Sequence, residues 1–269
     1  MKVGYLGPKG TFSEEAASRY FAGVNAALYP FPTILDVLDE VETGAIDKGI
    51  VPIENTIEGS ITFAVDRLTE SEDLFVQGEL ILEVAQNLLG NAQVPLEELR
   101  EIWSIQPALA QCRQLIRGLQ VSVKNFDSTA SAALAVKESG RTDVAAIASS
   151  WAARQLGLEI VADHIQDTAS NQTRFVVVVK GKQILEQPRK TMMVLLPNHE
   201  RSGVLMNILH VFYALDLNLT WIESRPTKKQ LGTYQFYLDV ESPLQDERMG
   251  KALSILQTLG HQVRVLGSY

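Results

Sequence analysis

The 269-residue sequence predicts an α/β chain in two parts, a layered α/β region followed by a smaller module of order βαββαβ. Three observations carry that expectation. Short apolar runs alternate with amphipathic helical segments through roughly the first 180 residues. A polar stretch at 180–190, containing Gly181 and Pro188, then interrupts the pattern. Beyond it, strand and helix periodicities follow in the ferredoxin-like order.

Strands are expected over 3–6, 49–53, 80–85, 102–105, 121–123, 144–148 and 175–179, where apolar residues run together. The last, Phe175 followed by four valines, reads as a strand buried on both faces. Thr11-Phe12-Ser13-Glu14 has the form of a capping box ahead of a helix over 16–21. Apolar spacings of three and four predict helices over 33–41 and 107–116. A further helix over 128–138 begins on a hydroxyl N-cap and ends near Gly140. The stretch at 180–190 reads as a linker, which divides the chain into domains at 1–182 and 188–269. The second domain reads as strand 191–196, helix 203–215, strands 219–224 and 233–240, helix 244–259 and strand 262–266. A sheet of this kind leaves one face that a neighbour or a symmetry mate usually covers.

Composition narrows the function classes. With 46% hydrophobic and 21% charged residues the chain is a folded globular protein. A net charge of −8 without a lysine or arginine run argues against nucleic acid and anionic membrane as partners. The single cysteine, Cys112, excludes an intramolecular disulfide and a cysteine-based zinc site, and it reads as core. His164, His199, His210 and His261 are scattered without ligand spacing, so no metal is expected. Trp103, Trp151 and Trp221 read as isolated core residues. No apolar run reaches the roughly 20 residues that span a bilayer, and the sequence enters a strand directly at its start, so a cytoplasmic protein is expected.

Three segments share one design, in which a strand ends and small or polar residues lead into a helix. They are Gly7-Pro8-Lys9-Gly10-Thr11-Phe12-Ser13, the stretch from Pro52 through Asn55 and Thr56 to Ser60, and Asp127-Ser128-Thr129-Ala130. Free backbone N–H groups and hydroxyls at helix starts bind carboxylates or phosphates without a cationic surface. Neither nucleotide-binding glycine motif is present, so together with Asn171, Thr173 and Arg174 the segments point to a small dianion. Glu54 and Glu58 stand four apart, but Asn55 and Gly59 suggest a loop, and the two are not read as a catalytic pair.

Taken together, the motifs at 7–17, 51–60, 108–112, 128–133, 171–175, 203–209 and 223–226 resemble the prephenate dehydratase family, with its amino-acid-sensing ACT domain. The resemblance implies two α/β lobes with a cleft, similar to the type II periplasmic-binding architecture, then a ferredoxin-like ACT domain. It implies a cofactor-free decarboxylating elimination of prephenate to phenylpyruvate, water and carbon dioxide. Thr173 and Arg174 would be catalytic, with Thr11, Ser13, Asn55, Thr56, Ser128, Thr129, Asn171 and Phe175 around the substrate. Phenylalanine would bind as effector at Gly203, Val204, Leu205, Asn218, Leu219, Glu223, Ser224, Arg225 and Pro226, in a homodimer or homotetramer. Ile105-Gln106-Pro107 departs from the His-Pro-Gln common in the family. Arogenate dehydratase is the rival enzyme, and a non-catalytic sensor on the same bilobal fold is the rival of another class.

Overall fold

The computed structural model describes residues 1–183, 185–198 and 202–269; His199 lies outside the described residues. The chain opens with β1 (Lys2–Leu6), α1 (Phe12–Tyr20), β2 (Ala27–Phe31), α2 (Ile34–Thr43), β3 (Lys48–Asn55), β4 (Gly59–Ser60), α3 (Thr62–Glu70) and β5 (Leu74–Glu83). Next come β6 (Asn87–Gly90), β7 (Glu101–Ser104), α4 (Gln106–Gln111), α5 (Arg113–Leu119), β8 (Ser122–Asn125), α6 (Thr129–Ser139), β9 (Val144–Ala148), α7 (Ser150–Leu156) and β10 (Glu159–Ala162). β11 (Gln172–Lys180) then returns to the first sheet.

That first sheet has the order β2-β1-β3-β11-β5, with β4 paired to β3; the second has the order β10-β6-β9-β7-β8. The chain leaves the first sheet after β5 and comes back after β10, so the two sheets are joined by two crossovers, as a bilobal α/β region requires. In the second sheet the fully buried β9 shows why a strand needs apolar residues on both sides. Val144, Ala146 and Ala148 pack towards α6 and α7 with Leu89, Ala132 and Val136, while Ala145 and Ile147 pack towards α4 with Leu88 and Leu109.

Several elements escaped the sequence reading, and their exposure explains it. β2 is a mostly exposed edge strand, and Pro30 is tolerated in it because an edge strand has a free side, whereas β8, expected over 121–123, is found at Ser122–Asn125. The expected helix at 107–116 is two helices, broken at Cys112 where the backbone leaves the helical region (φ −115°, ψ 29°). Thr11 does cap α1, but Glu14 does not complete a capping box. Its carboxylate instead accepts from the Gly10 N–H at 2.7 Å, from the Tyr5 hydroxyl at 3.1 Å and from the Trp151 indole at 2.9 Å. Trp151 is therefore tied into a polar network rather than being plain core.

By compactness the chain forms two units, Met1–Ala64 with Leu80–Phe175, and Val65–Glu79 with Val176–Tyr269. The second contains β12 (Thr191–Leu196), α8 (Val204–Ala214), β13 (Leu219–Pro226), β14 (Tyr234–Val240), α9 (Glu247–Thr258) and β15 (Gln262–Ser268). Its antiparallel sheet, β13-β14-β12-β15, is the ferredoxin-like arrangement expected from the sequence. Phe236, Leu238 and Val240 of β14 face a core with Met193, Ile208, Phe212, Met249 and Leu256. By alternation Tyr237 and Asp239 point to the opposite face. Residues 65–79 lie against that face. The Tyr237 hydroxyl is 2.5 Å from Thr69 Oγ1, and Arg264 donates to the Thr69 carbonyl at 2.8 Å. Gly267 sits so close to the Val76 carbonyl that no Cβ would fit there. A segment of the same chain thus supplies cover for the face that the sequence left open.

Candidate active site

After β3 the backbone turns back on itself at Asn55. Its side-chain oxygen accepts from the N–H groups of Ile57 (2.9 Å) and Glu58 (3.0 Å), and β4 returns with Asn55 opposite Gly59. Because the oxygen is held by two backbone donors, the orientation of the amide is determined. Its Nδ2 then faces Asn171 Oδ1 at 2.8 Å, Thr173 Oγ1 at 2.9 Å and the Gln172 carbonyl at 3.2 Å. Thr56 locks the same junction, since its N–H donates to the Gln172 carbonyl (2.9 Å) and its hydroxyl accepts from the Gln172 N–H (3.0 Å).

Thr173 is buried, at 9% exposure, and its hydroxyl oxygen receives the Asn55 donor. The Thr173 proton meets no acceptor among the described residues. A hydroxyl whose oxygen accepts a hydrogen bond is a better donor through its own proton. The site therefore holds an aligned, polarised O–H group that is free for a ligand. Asn171, almost fully buried, passes the network on, with Nδ2 donating to Gln111 Oε1 at 3.2 Å. Gln111 in turn donates to Glu58 at 3.3 Å.

Arg174 is 7% exposed, and its Nη1 lies 4.0 Å from Glu54 Oε2. Glu54 and Glu58 thus serve different partners, which agrees with not reading them as a catalytic pair. Phe175 is buried beside this cluster in sequence, at 1% exposure.

The structure brings Asn55, Thr56, Asn171 and Thr173 into one hydrogen-bonded group. It does not tie Thr11, Ser13, Ser128 or Thr129 to it, because no hydrogen bond among the described residues links them. The Thr11 hydroxyl is occupied by the Leu6 and Pro8 carbonyls, both at 3.0 Å. Ser128 forms a reciprocal capping box with Ser131 at the start of α6, next to Thr129. Ser13 is buried on α1.

Sequence reasoning missed Gln111, Glu14 and Gln86. Gln111 carried one signal, its place in the 108–112 motif just before the helix break. Gln86 lies in a crossover, almost fully buried, and its Nε2 reaches Gln111 Oε1 at 3.5 Å. Burial, followed by the nearby Glu14 carboxylate, pushes the Tyr5 phenol well above its usual range. Burial, and then Asp167, lifts the Cys112 thiol to about 12, which makes it inert core as expected.

A profile of the prephenate dehydratase family matches residues 3–183. The chain belongs to the prephenate dehydratase family. Such proteins are carbon–oxygen lyases, and the chain is accordingly an enzyme. The prephenate dehydratase of Bacillus subtilis (strain 168) is 37% identical over 281 residues, covering all of this chain and 98% of that one. The prephenate dehydratase structure from Staphylococcus aureus superposes with a TM-score of 0.91 at 33% identity, over the full length of both chains. That of Arthrobacter aurescens, in complex with L-Phe, gives 0.89 at 30% identity over all of this chain and 90% of that one. The fold alone does not fix the chemistry, since a protein described as a quorum-quenching acylase, GqqA, also gives 0.89 at 28% identity, over all of this chain and 97% of that one.

As a prephenate dehydratase the chain departs at Ile105, where the family commonly has histidine. Ile105 packs with Leu88, Leu109 and Ile147 in an apolar cluster. In the C-terminal module α8 starts on Gly203 in the left-handed region (φ 86°), and Val204 and Leu205 pack partly against the core. Asn218 donates to Glu241 at 2.9 Å, and β13 then runs from Leu219 through Glu223, Ser224, Arg225 and Pro226 against β14. The Arg225 guanidinium is committed to Asp66. No helix among the described residues is long and apolar enough to cross a membrane.

Proposed function

We propose that the chain converts prephenate to phenylpyruvate, with Thr173 as hydrogen-bond donor to the departing ring hydroxyl. In that reaction the ring carboxylate leaves as carbon dioxide and its electron pair moves through the ring. The C–O bond then breaks, and the oxygen leaves as water after gaining one proton. The enzyme must hold two carboxylates and stabilise the charge that develops on the departing oxygen. Arg174 offers the planar fork suited to one carboxylate. The observation that carries the reading is the hydrogen bond from Asn55 to the Thr173 hydroxyl oxygen, which directs the Thr173 proton to a ligand.

Residues 1–182 are the catalytic domain and 188–269 the ACT domain in this reading, with phenylalanine as allosteric effector of a cytoplasmic homodimer or homotetramer. Helix starts at Thr11, Ser13, Ser128 and Thr129 complete the substrate surroundings through backbone N–H groups. The effector residues are Gly203 to Leu205, Asn218, Leu219, Glu223, Ser224 and Pro226, while the Arg225 guanidinium of the same stretch is committed to Asp66. The L-Phe complex of the Arthrobacter protein supports the choice of effector.

The test is to mix purified full-length protein with prephenate and follow the absorbance of phenylpyruvate in alkali, with arogenate in parallel. Phenylpyruvate from prephenate is the expected result. Product from arogenate alone would reassign the substrate, and product from neither would leave a binding protein.

A further inference from the structure

The family profile covers residues 3–183, yet Val65–Glu79 folds as part of the same unit as the C-terminal module. Side chains from three strands of that module hold this segment. Arg225 of β13 forks onto the buried Asp66 of α3, with Nε to Oδ1 at 3.1 Å and Nη2 to Oδ2 at 3.0 Å. Lys228 adds a contact to Asp66 at 3.0 Å and one to Glu70 at 3.2 Å. Tyr237 of β14 meets Thr69, and Arg264 of β15 donates to the carbonyls of Thr69 and Ser71 at the C-terminal end of α3. A cation at that end also complements the free carbonyls and the helix dipole.

The other end of α3 leads to the site. Only Ile61 separates it from β4, and the Ile61 N–H donates to the Ile53 carbonyl at 2.8 Å. β4 pairs with the end of β3, with Gly59 opposite Asn55. Asn55 is the residue that aligns the Thr173 hydroxyl. α3 is thus a continuous element held at one end by the module and joined at the other to the Asn55 turn.

We propose that the Asp66–Arg225 pair is the contact through which effector binding at the C-terminal module alters turnover, Arg225 acting on α3 rather than on the effector. The proposal rests on the reading of phenylalanine as effector. An ion pair buried on one side is suited to this role because its fork fixes both distance and direction.

The test uses the full-length parent and its Asp66→Asn, Arg225→Gln and double variants. Phenylalanine binding is measured by calorimetry, and prephenate turnover with and without saturating phenylalanine. In the parent, phenylalanine should depress turnover about 5- to 150-fold. Asp66→Asn should still bind phenylalanine and keep basal turnover within about twofold, while the effector response shrinks to below about twofold. Arg225→Gln should lose the response to the same extent, and the double variant no further, because the two side chains act through each other. If Asp66→Asn fails to fold, Asp66→Glu, which keeps the charge but displaces the fork, should show a reduced response. A full response in a folded Asp66 variant overturns the coupling role. Loss of phenylalanine binding in Arg225→Gln but not in Asp66→Asn also overturns it, since Arg225 would then be an effector ligand. A parent that neither binds phenylalanine nor responds to it refutes the effector reading itself, and is distinguishable from both.

Discussion

Replacing Thr173 by alanine separates catalysis from packing more cleanly than any other change in the site. The substitution removes a buried hydroxyl whose proton has no acceptor among the described residues, and with it a hydrogen bond that strengthens as the C–O bond breaks. Bonds of that kind contribute about 2.7–4 kcal/mol at the transition state, so kcat should fall about 10²- to 10³-fold with a much smaller change in KM. The stability cost should be small. Asn55 loses one acceptor but keeps Asn171 Oδ1 and the Gln172 carbonyl, so its amide hydrogens remain satisfied. The expected destabilisation is below about 1 kcal/mol, the usual net value of one hydrogen bond. Thr173→Ser should retain most of the turnover, because it keeps the hydroxyl and the Asn55 contact. Steady-state kinetics with prephenate and thermal denaturation of the same samples measure both quantities. Turnover of Thr173→Ala within about a factor of two of the parent would show that the hydroxyl is merely structural, as would an activity loss that follows the melting curve.

Three further substitutions probe neighbouring steps. Arg174→Lys keeps the charge and loses the fork, so KM should rise about tenfold or more with kcat less affected, and an unchanged KM would mark Arg174 as structural. Asn55→Asp replaces a donor with an acceptor at 2.9 Å from the Thr173 oxygen, which should capture the Thr173 proton and lower kcat in a protein that still folds. Its circular dichroism and kcat together test this, and parental turnover would refute the alignment argument. At Asp66, burial raises the carboxyl, but hydrogen bonds and charge from Arg225 and Lys228 together outweigh it and hold the group below its usual value of 3.8. A carboxyl lowered in the folded state stabilises fully above the ordinary aspartate range, and that stabilisation is lost as pH falls through the folded value. Asp66→Asn should therefore flatten the fall of Tm below about pH 4 and leave a constant offset above about pH 5.

Legibility of the sequence followed burial and periodicity. The valine run of β11, the fully buried β9 and the βαββαβ order all carry periodic or continuous apolar signals, and all were readable. β2 and β10 are edge strands with no buried residue and no apolar–polar alternation, and they were not. α3 shows the other limit, because its importance depends on Asp66 meeting Arg225 159 residues away, and no local pattern encodes such a contact. In the site, Asn55 and Thr56 stood out where a strand end leads towards a helix start, and Asn171 and Thr173 as polar groups at the mouth of a buried strand that need partners. Their pairing with one another was not visible, nor was Gln111, whose partner Asn171 comes 60 residues later. Glu14 shows how a local motif misleads: its spacing fits a capping box, but Tyr5, Gly10 and Trp151 claim the carboxylate instead.

The network also constrains how turnover should respond to pH. Asn55, Asn171, Gln111 and Thr173 pass hydrogen bonds through amides and a hydroxyl, none of which titrates in the neutral range. Arg174 keeps its charge throughout. Among the described residues no histidine hydrogen-bonds to this group, and Ile105 fills an apolar cluster at the position where the family commonly has a histidine. If Thr173 supplies the hydrogen bond to the leaving oxygen, kcat should be flat from about pH 6 to pH 9, with any decline confined to the carboxylate range below about pH 5. A mechanism relying on a histidine acid would instead show a limb near pH 6.5, the ordinary imidazole value. Measuring kcat and kcat/KM for prephenate across pH 4.5–9.5 decides between them. A limb near neutrality in kcat that persists in Thr173→Ala would place the proton donor outside the amide cluster, while a flat profile in the parent leaves the Thr173 hydroxyl as the donor that the geometry supports.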